Sequence, residues 1–433
     1  MPPAPPDAAP RVYPPWVSLI QRSVKGAASA PHSSSVAEIE SWLLGEALGI
    51  EDLLPLIESF LWRLVAAGLP LDRASLHVGT LHPQLFGFAW NWNRSDGFCD
   101  EVKVAEAAVG SEAYRRNPLF RVIEHGETVR ADLRDAETCA RFPLMAELVE
   151  QGMTEYVALP LHAGGAYHNA ATAATRQAGG FTATQFDDLS RLLRLFALHV
   201  ERHIALRISG NVLATYLGAE AGGRVLRGSI KRGSGAPISA IIWISDLRGF
   251  TDLSDRLPGP AVIALLNAYF ERLAGAVLAE GGQVLKFVGD GLLAVFPYAA
   301  FADERAAARA ALAAAQQALA ALEALNVDPP EELSGIEGWR PLRSGIALHA
   351  GDVFFGNVGA PERLDFTVIG QAVNLASRVE TLTKSLGHPL LMTEQVARCL
   401  TEPLDDLGLH ALRGLAAPVR LYSPVSRNDP SSV

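Results

Sequence analysis

Two carboxylates stand where a fold could bring them together. Asp246 closes the apolar run Ile238–Ser245, and Asp290 sits in Gly289-Asp290-Gly291, between the apolar segments Val284–Val288 and Leu292–Phe296. A strand end and an adjacent hairpin tip can converge, and carboxylate oxygens so placed suit hard divalent cations such as a pair of Mg²⁺ ions. On its own, an aspartate in a Gly-Asp-Gly turn is ordinary turn chemistry. Asn374 and Arg378 form a second constellation. They lie four residues apart after Gly370, so on a helix they share one face, while Ala372, Val373, Ala376 and Val379 can be buried. The plain alternative is a solvated surface pair.

The elements that must hold these residues follow from periodicity. Ile238–Ser245 reads as a buried strand, and Pro258–Leu278 as a helix with proline near its start. The two segments around Gly289-Asp290-Gly291 read as a β-hairpin with a tight turn. Glu304–Leu325 is an alanine-rich helix, Arg343–His349 a strand and Ala372–Lys384 a helix. The order βαββαβ predicts a ferredoxin-like α+β domain, with helices on one face of an antiparallel sheet. It covers residues 236–425, followed by a short tail at 426–433.

Upstream, residues 1–35 are rich in Pro, Ala and Ser and are expected to be disordered. Leu43, Leu44, Leu48, Leu53, Leu56, Phe60 and Leu64 predict two helices, with Gly49 between them and Gly68 as a stop. Short apolar segments at Ala74–Val78, Leu85–Trp90 and Tyr156–Leu161 complete an α+β sensor-sized domain over residues 36–205. Phe186, Leu189, Leu193, Phe196 and Val200 repeat at coiled-coil spacing. That stripe predicts a dimerisation helix; a helix packed on its own domain is the alternative. Residues 206–235, glycine-rich and carrying Arg224, Arg227, Lys231 and Arg232, read as a linker or coupling element.

Composition sets outer limits. At 433 residues the chain exceeds what one core usually organises. A formal net charge of −10 argues against a general nucleic-acid binder. Cys99, Cys139 and Cys399 are widely spaced and odd in number, so neither a disulfide framework nor a zinc site is written here. The proline-rich opening is no signal peptide, and no unbroken apolar run reaches membrane-spanning length. The expected compartment is the cytoplasm.

Three strings resemble the class III nucleotidyl cyclase catalytic domain. They are Ile244-Ser245-Asp246-Leu247-Arg248-Gly249-Phe250-Thr251, Lys286-Phe287-Val288-Gly289-Asp290-Gly291, and the stretch from Phe366 through Gly370 and Asn374 to Arg378. The resemblance implies an adenylate cyclase that converts ATP to 3′,5′-cyclic AMP and pyrophosphate, working as a homodimer with sites at the interface. Asp246 and Asp290 would bind two Mg²⁺ or Mn²⁺ ions, and the amides of Leu247, Arg248, Gly249, Phe250 and Thr251 would help cradle phosphate. Asn374 would orient the ribose, and Arg378 would stabilise charge at the α-phosphate. Lys286 and Thr367 would read adenine, through N1 and the 6-amino group. Asp365 is expected to face away from them. Guanylate cyclases of this family usually carry an acidic residue where this chain has Lys286. Arg413 is the nearest candidate for a further phosphate contact. Trp339 and the helix from Glu304 are expected to pack the core or a dimer contact.

Glu155–Leu161 and Ala173–Thr182 resemble the closing strands and final helix of a GAF domain. That resemblance implies an unidentified small-molecule or protein effector. Cys99, Cys139, His162 and His168 read as ordinary structural residues rather than cofactor ligands.

Overall fold

The structure, a computed structural model, describes residues 11–23, 26–82, 85–161, 169–336 and 339–425. His162, His168, residues 1–10 and the tail at 426–433 lie outside them. Two compact units divide the chain between Val212 and Leu213.

The first unit carries seven strands: β1 (Val17–Arg22), β2 (Arg73–His82), β3 (Leu85–Asn93), β4 (Cys99–Ala105), β5 (Val129–Asp132), β6 (Glu155–Leu161) and β7 (Asn169–Thr175). They form one sheet in the order β1-β4-β3-β2-β7-β6-β5, with every neighbouring pair antiparallel. Alternation along β2 sends Ala74, Leu76 and Val78 into a core built with the helices Val36–Leu44, Leu53–Ala66 and Ala183–Leu217.

Two expectations change here. Residues 17–22 are an edge strand, not part of a disordered tail. Arg22 and Tyr13 both bond to the fully buried carboxylate of Asp100, and Arg11 pairs with Asp96. A buried carboxylate needs such partners, and they tie the segment down. The heptad-like stripe is also used at home. Leu189, Leu193, Phe196 and Val200 are buried within this unit, and Phe196 stacks on Phe60 with ring centroids 4.2 Å apart. That stripe is taken up by its own core, while Leu198, Leu206 and Tyr216 of the same helix are exposed. The helix runs on to Leu217, and a second, Ala219–Leu226, occupies much of the expected linker.

The second unit carries β8 (Gly235–Leu247), β9 (Gln283–Val288), β10 (Gly291–Pro297), β11 (Ser344–Ala360), β12 (Arg363–Ile369), β13 (Leu390–Thr393), β14 (Leu404–His410) and β15 (Val419–Pro424). The sheet order is β14-β15-β13-β11-β8-β10-β9, and β12 pairs with the far half of β11. Strands β8 to β11, with the helices Gly259–Ala279 and Glu304–Val327, give the expected βαββαβ order.

Both faces of this sheet are covered, because successive residues of β8 from Ala240 to Trp243 are all fully buried. The two crossover helices cover the Ile241 and Trp243 face, with Trp339 packed against that core. Ala372 and Ala376, from the helix Gln371–Leu386, join the opposite core with Ile242 and Leu293. By length and composition the two crossover helices could cross a membrane. That departs from the reading of unbroken apolar runs, since a window tolerating a few charges qualifies. Leu265, Tyr269 and Leu273 of the first, and Ala308, Ala311 and Ala315 of the second, are buried in the domain core.

Candidate active site

Register brings the two carboxylates together. Asp246 of β8 pairs with Gly291 of β10, the residue after Asp290. Val288 pairs with Gly291 across the hairpin, so Gly289 and Asp290 alone make the turn, with Gly289 at φ +63°. A Cβ at Gly291 would stand 3.0 Å from the Ser245 carbonyl oxygen and 3.5 Å from Asp246 Oδ1. A larger residue there would crowd the carboxylates.

Burial and the neighbouring charge of Asp290 push the Asp246 carboxyl above the usual range, and Arg248 pulls it partly back. Two carboxylates held this close repel unless a cation joins them, and an all-oxygen donor set fits Mg²⁺ or Mn²⁺. Among the described residues no third Asp, Glu, His or Cys completes a cluster. Nucleotide phosphates and water would have to supply the remaining ligands.

The turn after Asp246 leads into the short helix Phe250–Arg256, with Gly249 at φ +74° as its N-cap. Of the five amides expected to cradle phosphate, Leu247 belongs to a buried core residue, and Arg248 N–H donates to the Arg343 carbonyl at 2.8 Å. The first-turn amides, those of Phe250 and Thr251 among them, have no intrahelical acceptor.

Asn374 and Arg378 share the helix Gln371–Leu386 as expected, with Asn374 exposed and Arg378 half-buried. Arg378 has no acidic partner among the described residues. Its guanidinium lies beside Gly414, whose Cβ position would be 3.4 Å from Nη2, so the loop of Arg413 comes next to Arg378. Arg413 itself is exposed.

The base-reading set differs from expectation at one residue. Asp365 does not face away: Lys286 Nζ donates to Asp365 Oδ2 at 2.7 Å. Positions 365 and 367 are two apart on β12, and a strand repeats its facing every two residues. Thr367 is 6% exposed, and its Oγ1 has no hydrogen-bond partner. A buried hydroxyl without a partner is costly and is the mark of a group awaiting one. No hydrogen bond or ion pair joins Asp246 or Asp290 to Lys286, Thr367, Asn374 or Arg378 among the described residues.

Sequence reading also missed Glu380, an acidic residue on the buried side of the Asn374 helix, against Arg248. Its signal was available, since it follows Ala376 by four residues on the apolar stripe.

The family described as adenylate and guanylate cyclase catalytic domain matches residues 238–415. Those residues belong to that family. The cyclase domain is 35% identical over 175 residues to an adenylate cyclase of Anabaena cylindrica, covering 40% of this chain and 33% of that one. The solved adenylyl cyclase CyaB from P. aeruginosa is 30% identical, with 45% of this chain and 98% of that chain covered and a TM-score of 0.39. The guanylyl cyclase Cya2 is 27% identical, with 46% and 98% covered and a TM-score of 0.38. The chain spans less than half the length of the curated relatives it matches. The acid pair, the Asn374 helix and the Lys286–Asp365 pair all fall inside the matched cyclase domain.

Proposed function

We propose that the cyclase domain converts ATP to 3′,5′-cyclic AMP and pyrophosphate at composite sites in a cytoplasmic homodimer, under control of the amino-terminal unit. The observation that carries this reading is the unpaired, buried hydroxyl of Thr367 on the same strand face as the residue that holds Lys286. Adenine offers an acceptor at N1 for the lysine and a donor at its 6-amino group for the threonine. Guanine offers N1–H and O6: the threonine hydroxyl can donate to O6, but the lysine would face a donor, a mismatch of about 1–3 kcal/mol.

Asp246 and Asp290 would hold Mg²⁺ or Mn²⁺. Bound there, such ions supply activation of the ribose 3′-hydroxyl and neutralise the leaving pyrophosphate. Arg378, with no acid to satisfy it, is available to the α-phosphate, and Asn374 on the same face to the ribose. Hydroxyl and phosphate belong to one molecule, so positioning does much of the work. In a homodimer one copy would supply the acid pair and its partner the other four residues, giving two equivalent composite sites.

Asp365 favours a second reading, a cyclase of relaxed specificity. Its carboxylate beside Lys286 is an acceptor that guanine N1–H could use. The first unit, an antiparallel sheet flanked by helices, supports a GAF-like sensor with a small-molecule or protein effector.

The test is product analysis of the purified full chain given ATP or GTP with Mg²⁺ or Mn²⁺. Cyclic AMP from ATP is expected. Cyclic GMP alone would overturn the base assignment, and no cyclic product from either would overturn the reading.

A further inference from the structure

Glu380 is a buried carboxylate that neither half-site uses. It lies among Ala376, Val379 and Thr383 on the covered side of the helix Gln371–Leu386 and is 6% exposed. Thr383 Oγ1 stands 3.4 Å from its Oε1. Burial pushes its carboxyl up to about 7, and the charge of Arg248 acts in the other direction.

Arg248 reaches Glu380 from just beyond the end of β8, the strand that carries Asp246. Its Nη2 stands 3.5 Å from Glu380 Oε1 and makes no hydrogen bond. The guanidinium crosses β11 at Gly345, where any Cβ would collide with Arg248 Nη2 and with Thr383 Oγ1. Gly345 is also the register partner of Asp246. The Arg248 guanidinium and the Thr383 hydroxyl therefore meet over Gly345, the neighbour of Asp246 in the sheet.

An arginine keeps its charge at any working pH. Without its counterion it would be an uncompensated cation in a largely buried place, close along the chain to Asp246. A guanidinium fork on a carboxylate occupies the oxygens a metal ion would use.

We propose that Glu380 is a positioning residue that holds the Arg248 guanidinium against the Asn374 helix, so that Asp246 and Asp290 stay open to divalent cations. This rests on the two-carboxylate reading of the metal site.

The test is Glu380→Gln in the full chain, which keeps side-chain volume and a polar end. Mn²⁺ binding is followed by electron paramagnetic resonance with a non-cyclisable ATP analogue that lacks the 3′-hydroxyl, beside turnover and melting temperature. The half-saturating Mn²⁺ concentration is expected to rise about tenfold, a usual size for coupling between two sites, with most turnover restored at saturating Mn²⁺. Adding Arg248→Met should return Mn²⁺ half-saturation to that of Arg248→Met alone, since the competitor is gone. Should Glu380→Gln fail to fold, Glu380→Asp, with a shorter reach, is expected to shift Mn²⁺ half-saturation in the same direction. Unchanged Mn²⁺ affinity with turnover lost equally at every Mn²⁺ concentration would overturn the proposal, as would additive losses in the double variant. Wild-type protein that binds no Mn²⁺ beside the analogue would overturn the metal-site reading itself, and this proposal with it.

Discussion

Lys286 donates to Asp365 across 2.7 Å, and both stand on the side of β12 that carries the Thr367 hydroxyl. The pair is partly open, with side chains 33% and 56% exposed, so it is worth at most about 1 kcal/mol. Asp365→Asn removes the charge and keeps the shape. The KM for ATP is expected to change only a few-fold with kcat nearly constant, because the lysine loses an orienting partner and not its charge. Any GTP turnover should fall more than ATP turnover, since guanine N1–H then meets a neutral amide oxygen in place of a carboxylate. Equal effects on both nucleotides would remove Asp365 from base reading.

The carboxylate pair makes a stability prediction. The Asp246 carboxyl is raised in the folded state, so its contribution is complete at low pH and is lost as pH rises through its folded value. At pH 8 without metal, two like charges therefore work against the fold. Asp290→Asn should raise the melting temperature in EDTA at pH 8 while cutting cyclase turnover at least about a hundredfold, as loss of a metal ligand demands. A lowered melting temperature in EDTA would show that the two groups do not repel.

His349 sets a separate pH response. It is 6% exposed, its Nδ1 lies 2.8 Å from Thr393 Oγ1, and burial lowers its pKa to about 4. A depressed histidine stabilises the fold above its unfolded value of about 6.5 and loses that contribution as pH falls toward about 4. The span amounts to about 3 kcal/mol. Urea unfolding of the wild type should weaken over this range, and His349→Asn should flatten the slope. Parallel pH profiles would contradict the assignment.

Much of the cyclase domain was legible because its signals are local. The apolar runs of β8, β9 and β10, the Gly-Asp-Gly turn and the spacing of Asn374 and Arg378 each depend on neighbours in sequence. What was not legible depends on partners distant in sequence. The stripe Leu189–Val200 has a spacing that serves a coiled coil or a home core equally, and only the presence of Phe60 and the β2 face decides it. Residues 17–22 become a strand because β4 offers an edge and Asp100 a buried charge. Asp365 was misplaced by a parity error, since positions two apart share a face. Glu380 acquires meaning only when Gly345 opens a path for Arg248.

The buried stripe also changes what a truncation should do. A start near residue 206 would keep the end of a helix whose buried residues Leu192, Phe196 and Val200 have been removed, whereas a start at Leu213 follows the division of units. The fragment from Leu213 is expected to fold and to make cyclic AMP at a rate different from that of the full chain. Identical rates and identical concentration dependence would argue against control by the first unit.

Mixing two inactive variants tests the composite cyclase site most directly. Asp246→Ala damages the carboxylate half-site and Arg378→Ala the other, so each homodimer has two crippled sites. A mixed dimer has one doubly damaged site and one wholly intact site. With random subunit exchange half the dimers are mixed, and cyclic AMP production from ATP should recover to about a quarter of the wild-type level. No recovery, with exchange verified independently, would contradict a site shared between two chains.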